Sequence, residues 1–307
     1  MTYTLGHSHI DAEIAPLYRV RPERNRQVLQ GILNQDRGYA AFAIGHLDHG
    51  LFKDARYWTA EGPNGEQAIV MHANGGLGRI TVIAGDTTGV EALLSLHPGP
   101  RSGYLATCAP EHLNVVNRVY ALDGLLTMIR MSVDVSSFSP IGGSIRRLVG
   151  TDTEALNALY ASGGGPTGYR SEHIEQGVYC GAFETGRLVA IGGTHLVAPA
   201  SGIAVVGNVF THSDWRGRGL ATRVTSAVTA ELFDRGCWQV ALTVDPENTP
   251  AIRTYAKLGY MKGSPVHEVQ FRRRDILGFG ATLRRRFARR GNEDKERLIR
   301  VASRPEN

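Results

Sequence analysis

Arg216-Gly217-Arg218-Gly219-Leu220-Ala221 is the segment whose residue types and spacing point most directly to chemistry. Glycines between a predicted strand and a predicted helix let the backbone turn so that consecutive amides, through that of Thr222, converge on one small volume. The positive end of the following helix adds to the field there. Such a nest suits a pyrophosphate, and the same residues also suit a plain tight turn from strand to helix. Further along, Asn248-Thr249-Pro250 opens another predicted helix, with Asn248 as the cap and the proline in the first turn.

These groups need a scaffold. Ser144 to Leu148 reads as a short strand, and Thr151-Asp152-Thr153-Glu154 has the Thr-x-x-Glu spacing that starts a helix, here running through Tyr160. Ser162-Gly163-Gly164-Gly165-Pro166 stops it and predicts a loop. Gly177 to Phe183 and Arg187 to Val197 are apolar and β-rich around Glu184-Thr185-Gly186, the pattern of a hairpin. A strand over Ile203–Thr211 leads into the glycine segment, and a helix from Gly219 to Phe233 follows, closed by Arg235-Gly236. Strands at Trp238–Val244 and His267–Phe271 flank the helix that Asn248 opens and Gly259 closes.

The first half has a similar rhythm. A helix near Arg24–Asn34 precedes strands near Tyr57–Ala60, Gln67–Ala73 and Arg79–Ala84, a helix over Thr88–Leu96, a strand near Gly103–Cys108, a helix near Glu111–Tyr120 and a strand near Leu125–Val135. The shared order predicts a tandem of one α+β unit: residues 1–140, residues 143–271, then a basic tail over 272–307. Gly75-Gly76-Leu77-Gly78 precedes a strand and reads as a hairpin turn, since a phosphate nest wants a helix. The counterpart of the nest, Ala84-Gly85-Asp86-Thr87-Thr88-Gly89, lacks the Arg-x-x-Gly core and puts Asp86 where an anion would sit. The first half is therefore expected not to bind a phosphate cofactor.

Val209 through Ala221 resembles the acetyl-coenzyme A signature of the GCN5-related N-acetyltransferases (GNAT), with Arg216, Gly219 and Ala221 at the positions of its Arg/Gln-x-x-Gly-x-Gly/Ala loop and Ser213 where many members have proline. Asn248, Ala251, Tyr255 and Gly259-Tyr260 resemble the family's second motif. Together the likeness covers roughly Ser144 to Phe271, in the manner of the subgroup whose N-terminal half matches poorly. It implies an α+β fold of tandem GNAT-like domains, each a mixed, mostly antiparallel twisted sheet flanked by helices.

The resemblance also implies a function: transfer of an acetyl group from acetyl-CoA to a primary amine, on a small molecule, an amino acid or a protein lysine, by direct attack. Backbone groups of Val209, Phe210 and Thr211 would hold the pantetheine arm. Amides from Gly217 to Thr222, with Arg218, Gly219, Leu220 and Ala221 among them, would hold the pyrophosphate, and Arg216 would also bind the cofactor. Asn248 would serve the cofactor, the helix start, or both, and Tyr255 would protonate the leaving thiolate, as a phenol with an ordinary pKa near 10 can. His195, His212, Asp214 and Glu172 are candidate bases by position, none singled out, and Asn208 can orient a water without being a base. The alternative to an enzyme is a non-catalytic acyl-CoA sensor or scaffold.

Composition narrows the rest. Cys108, Cys180 and Cys237 form no CxxC pair, which argues against zinc or redox chemistry and fits a reducing cytoplasm; no metal is expected. No stretch suits a membrane span or a signal peptide. Phe271 to Asn307 holds 12 Lys and Arg against 5 Asp and Glu, so the +5 net charge belongs to this tail and the remainder is about −2. Its arginines surround Ile276, Leu277, Phe279, Leu283 and Phe287, which fits a partly helical docking segment better than an anionic membrane or nucleic acid; no nucleic-acid partner is expected, and a homodimer is possible.

Overall fold

The computed structural model describes residues 15–75, 78–275, 277–291 and 295–301. Gly76 and Leu77 of the glycine-rich turn, Ile276 of the basic segment and the first 14 residues lie outside the described residues. Among those described, the first half runs β1 (Leu17–Glu23), α1 (Arg26–Leu33), α2 (Ala41–Gly45), α3 (His49–Phe52), β2 (Ala55–Glu61), β3 (Gln67–Gly75), β4 (Gly78–Gly85), α4 (Thr87–Leu96), β5 (Ser102–Thr107), α5 (Leu113–Val119) and β6 (Tyr120–Asp134). The second half repeats the order with β7 (Arg146–Arg147), α6 (Thr153–Ala161), α7 (Ser171–Gln176), β8 (Cys180–Glu184), β9 (Arg187–Ala198), β10 (Ile203–Thr211), α8 (Leu220–Asp234), β11 (Gln239–Val244), α9 (Thr249–Lys257) and β12 (Met261–Arg273). The chain then forms α10 (Phe279–Phe287), β13 (Arg289–Arg290) and β14 (Arg297–Arg300).

The strands form one sheet in the order β13-β14-β1-β2-β3-β4-β5-β12-β6-β11-β10-β9-β8-β7. Each half has one parallel neighbour pair, β4 with β5 and β10 with β11, in an otherwise antiparallel array. The expected tandem α+β architecture is thus present, and its final strands are exchanged: β6 pairs with β11 of the second half, β12 pairs with β5 of the first, and β6 and β12 pair with each other. At this crossing Arg130 of β6 is buried, with Nη2 donating to Ala106 O (3.2 Å) and Thr107 Oγ1 (3.0 Å) and lying 3.9 Å from Glu268 Oε1 of β12. Tyr104 and Thr243 donate to the two oxygens of Glu268 at 2.8 and 2.9 Å.

Period-two alternation divides the core between the two faces of the sheet. On β10, Ile203 and Val205 join the cluster under α1 and α2 of the first half, while Ala204 and Val206 join the one under α8. The β8–β9 hairpin turns on Thr185 and Gly186, both at positive φ as a type I′ turn requires. α6 starts differently from the Thr151–Glu154 box expected: Asp152 accepts from Val149 N (2.9 Å) and pairs with Arg146 through two oxygens (2.7 and 3.0 Å). The register of the cap is therefore shifted two residues toward the N-terminus, with Asp152 as the acid that reaches back to Val149 N.

The described residues after 272 dock on the first half. β14 pairs with β1, and the arginines bind carbonyls at the ends of α4 and α5: Arg284 Nε to Ser95 O (2.9 Å), Arg285 Nη1 to Leu96 O (2.6 Å) and Arg274 Nε to Asn117 O (2.8 Å). Cations at helix C-termini also complement the helix dipole. Among the described residues, no helix is long and apolar enough to cross a membrane.

Candidate active site

β10 pairs in parallel with β11 only from Ile203–Gln239 to Val205–Ala241, although it continues to Thr211 and β11 to Val244. The two strands therefore splay, and Val206–Thr211 leave the ladder on that side. The departure coincides with irregular pairing against β9 between Gly207 and Phe210, where Asn208 adopts φ +56°. Asn is one of the few side chains that tolerate this left-handed conformation. Tyr160 Oη donates to Asn208 O at 2.5 Å, and its ring packs on Phe210, with centroids 5.9 Å apart, and stacks on Tyr169. Beyond the bulge, Phe210 and Thr211 rejoin β9 opposite Ile191 and Ala190. Val209 packs against the core under α8.

The glycine segment between β10 and α8 turns left-handed twice. Gly217 and Gly219 take φ +76° and +73°, and a Cβ at either would meet nothing within 4 Å, so the concavity faces open space. Arg216 Nε donates to Thr211 O (3.2 Å), which ties the loop to the strand end, and the Arg218 guanidinium lies 4.4 Å over the Trp215 ring. Gly219 starts α8 without a side-chain cap, leaving the first-turn amides, those of Leu220, Ala221 and Thr222, with no intrahelical acceptor. The side chains of Leu220 and Thr222 are buried, which fixes the first turn.

Asn248 caps α9, accepting from Ala251 N at 3.1 Å. Tyr255 is buried on α9 beside Tyr260, with ring centroids 6.0 Å apart. Burial pushes its phenol up to about 12, so it stays protonated at neutral pH. Tyr260 is anchored by Thr229 (2.7 Å).

A cavity of about 520 Å³ lies at the bulge of β10 and reaches Asn208 and His195 from one side and Phe42 and His46 of the first half from the other. Of the candidate bases, only His195 lines it. Burial, with a contribution from Arg130, lowers that imidazole to about 4, which makes it a neutral hydrogen-bonding group and a weak base. His212 accepts from Asp214 N at the end of β10, while the Asp214 and Glu172 carboxylates are largely exposed. Sequence reasoning assigned the acceptor cleft to Ser162–Arg170 and the facing surface of the first half, and named neither Tyr160, Tyr169 nor any first-half residue as lining it. Only the aromatic spacing around the Ser162–Pro166 loop hinted at the tyrosines, and nothing local marks α2 as part of a second half's site.

The model of the acetyltransferase (GNAT) family matches residues 152–260, which span both motifs. A mycothiol acetyltransferase of Tsukamurella paurometabola is 30% identical over 226 residues, covering 66% of this chain and 76% of that protein. Another mycothiol acetyltransferase, from Corynebacterium jeikeium, is 40% identical over 47 residues, 15% of this chain and 14% of that protein. Among solved structures, a Drosophila protein superimposes with a TM-score of 0.62 at 14% identity, covering 82% of this chain and 97% of that one. A GCN5-related N-acetyltransferase from Kribbella flavida does so at 0.51 and 19%, covering 78% and 97%. The chain belongs to the acetyltransferase (GNAT) family.

Proposed function

We propose that the second half transfers an acetyl group from acetyl-CoA to a primary amine by direct attack. The observation that carries this reading is the uncapped start of α8 behind two left-handed glycines whose concavity is open. Converging amides at the positive end of a helix suit a diphosphate, and Arg216 and Arg218 flank them with positive charge. Acetyl-CoA supplies an activated thioester carbonyl, so the protein needs no nucleophile of its own. The three cysteines are buried, and burial raises Cys108 and Cys180 to about 12, which suits no thiolate chemistry.

The backbone of Val209, Phe210 and Thr211 lies outside the β11 ladder, and the groups there other than Thr211 O, which receives Arg216 Nε, bind and orient a pantetheine amide while neighbouring β10 amides polarise a carbonyl. Asn248 holds the α9 N-terminus in place. Tyr255, kept protonated by burial, donates a proton to the leaving thiolate as the C–S bond breaks, and the proton that the attacking nitrogen gives up restores the phenol. An amine arriving neutral from solution needs only acceptors to orient it, a task for Asn208 and His195.

Calorimetric titration of acetyl-CoA tests the reading. A Gly219→Glu carboxylate facing a bound diphosphate should weaken binding by about 2.7 kcal/mol or more, roughly 100-fold, in a protein that still folds. Tyr255→Phe should bind normally and lose on the order of 100-fold in kcat. A parent protein that fails to bind acetyl-CoA sinks the proposal. Binding without turnover of any amine would instead favour the sensor or scaffold role.

A further inference from the structure

The two halves meet where a small acceptor would have to lie. α2 approaches β9 so closely that a Cβ on Gly45 would collide with Leu196, and the next residue, His46, enters the wall of the 520 Å³ cavity. His46 is 3% exposed, and its Nδ1 is 2.7 Å from Phe42 O. A carbonyl only accepts, so Nδ1 carries the proton and Nε2 presents a lone pair. That Nε2 is sealed from water and has no hydrogen-bond partner. Burial lowers the pKa of His46, so the ring stays neutral.

On the opposite wall His195 lies across Gly207, where any Cβ would collide with its ring. Among the described residues lining the cavity there is no Asp, Glu, Lys or Arg. A second ammonium on the acceptor would find no carboxylate there, and a carboxylate would meet only imidazoles, two of them kept neutral by burial, so either charge is poorly compensated for its desolvation. Neutral donors are matched instead, because an unpaired buried acceptor such as Nε2 is costly until a donor reaches it.

Resting on the acetyl-transfer reading above, we propose that the acceptor is a small amine carrying one uncharged hydrogen-bond donor, a hydroxyl or amide N–H, that His46 Nε2 of the first half receives. The cavity volume falls in the range of small-molecule sites. Because Nε2 is sealed, reaching it takes a small movement of the wall, so the recognition is by fit as well as by hydrogen bonding. The first half thereby acts as the specificity element of the second half's reaction.

The test follows thiol release from acetyl-CoA by the full chain with amino alcohols and amino amides, alkylamines of matched size, diamines, amino acids and a lysine peptide. The expected result is at least a tenfold preference in kcat/KM for amines with a neutral donor over matched alkylamines, collapsing toward one in His46→Leu through KM, with acetyl-CoA affinity unchanged. His46→Gln, which keeps an acceptor, should restore part of it and guards against a fold defect in the leucine variant. A preference that survives both substitutions overturns the proposal, as does a diamine, amino acid or lysine peptide as the best acceptor, or acetyl-CoA binding with no amine of the panel turned over. Failure of acetyl-CoA to bind at all would instead remove the acetyl-transfer reading beneath it.

Discussion

The β4–α4 and β10–α8 junctions occupy the same place in the two halves, a strand leaving its parallel partner and leading into a helix, and they treat their backbone polar groups in opposite ways. At the first, Gly85 lies so close to β3 that a Cβ would collide with Gln67 O, and Asp86 accepts from Gly89 N at 2.7 Å while receiving the Tyr18 hydroxyl at 2.6 Å. Tyr39 Oη donates to Ile83 O (2.8 Å), and His112 Nε2 to Gly85 O (2.8 Å). The chain's own side chains fill the junction. At the second, two glycines open toward solvent and no side chain caps the helix. A fold that can satisfy these groups internally leaves them free in only one copy, and backbone groups left free in a rigid frame are what a ligand needs.

The largest effect is expected where the halves are shared. Glu268→Ala would leave Arg130, 1% exposed, without its carboxylate, a loss of about 3–5 kcal/mol for a buried pair broken from one side. Because β6 and β12 are exchanged, the loss should appear in both halves: one unfolding transition at lower temperature, with faster amide exchange in β5 and β11 alike. Faster exchange confined to one half would show that the two sites stand on independent scaffolds and would weaken the comparison of their junctions.

Local chemistry made much of this legible. The apolar run of β10, the helical period of α8, the positive φ of Gly186 and the cap Asn248 are each written within a few residues, whereas the positive φ of Thr185 is not. The strand exchange is not, since β6 and β12 have the same apolar pattern whichever half they pair with. β1 was hidden because Arg19, Arg21 and Pro22 interrupt its apolar residues, and the pairing of this strand with β14 depends on residues nearly 300 positions away. The acceptor wall was equally silent: His46 is one histidine in an apolar run, and only the close approach at Gly45 gives it meaning.

Acid should separate the halves next. His72 is buried with Nε2 donating to His97 O (3.1 Å), which leaves Nδ1 to accept from Thr81 Oγ1 (2.9 Å). Protonating Nδ1 reverses that bond, with the Thr81 hydroxyl turning to accept, and puts a positive charge inside the core. Burial lowers His72 to about 4 and His97 to about 3, with Arg285 adding to the effect on His97. A folded pKa below the unfolded value near 6.5 means that the unfolded chain binds more protons, so the stability is complete above that value and is lost as pH falls through the folded ones. For His72 the full loss is roughly 3 kcal/mol. Hydrogen exchange at pH 5 against pH 7.5 should therefore show β3 and β4 loosening before β11, with β9 loosening alongside them because it carries His195, also lowered to about 4 by burial; earlier loosening of β11 would place the acid-sensitive core elsewhere in the second half.

The smallest effect bears most directly on the contrast between the junctions. Asp86→Ala removes the α4 cap and the partner of Tyr18, and should cost about 1 kcal/mol, up to about 2 if the Tyr18 hydroxyl is left unpaired. If occupation by Asp86 alone distinguished the first junction from the second, the alanine variant would gain measurable affinity for acetyl-CoA or inorganic pyrophosphate. It should gain none, because Gly85 is pressed against β3, and Tyr39 and His112 still hold the carbonyls of Ile83 and Gly85. A modest fall in melting temperature with no new binding would locate the difference in the whole junction, where removing one carboxylate frees one helix end but opens no concavity for a ligand to enter.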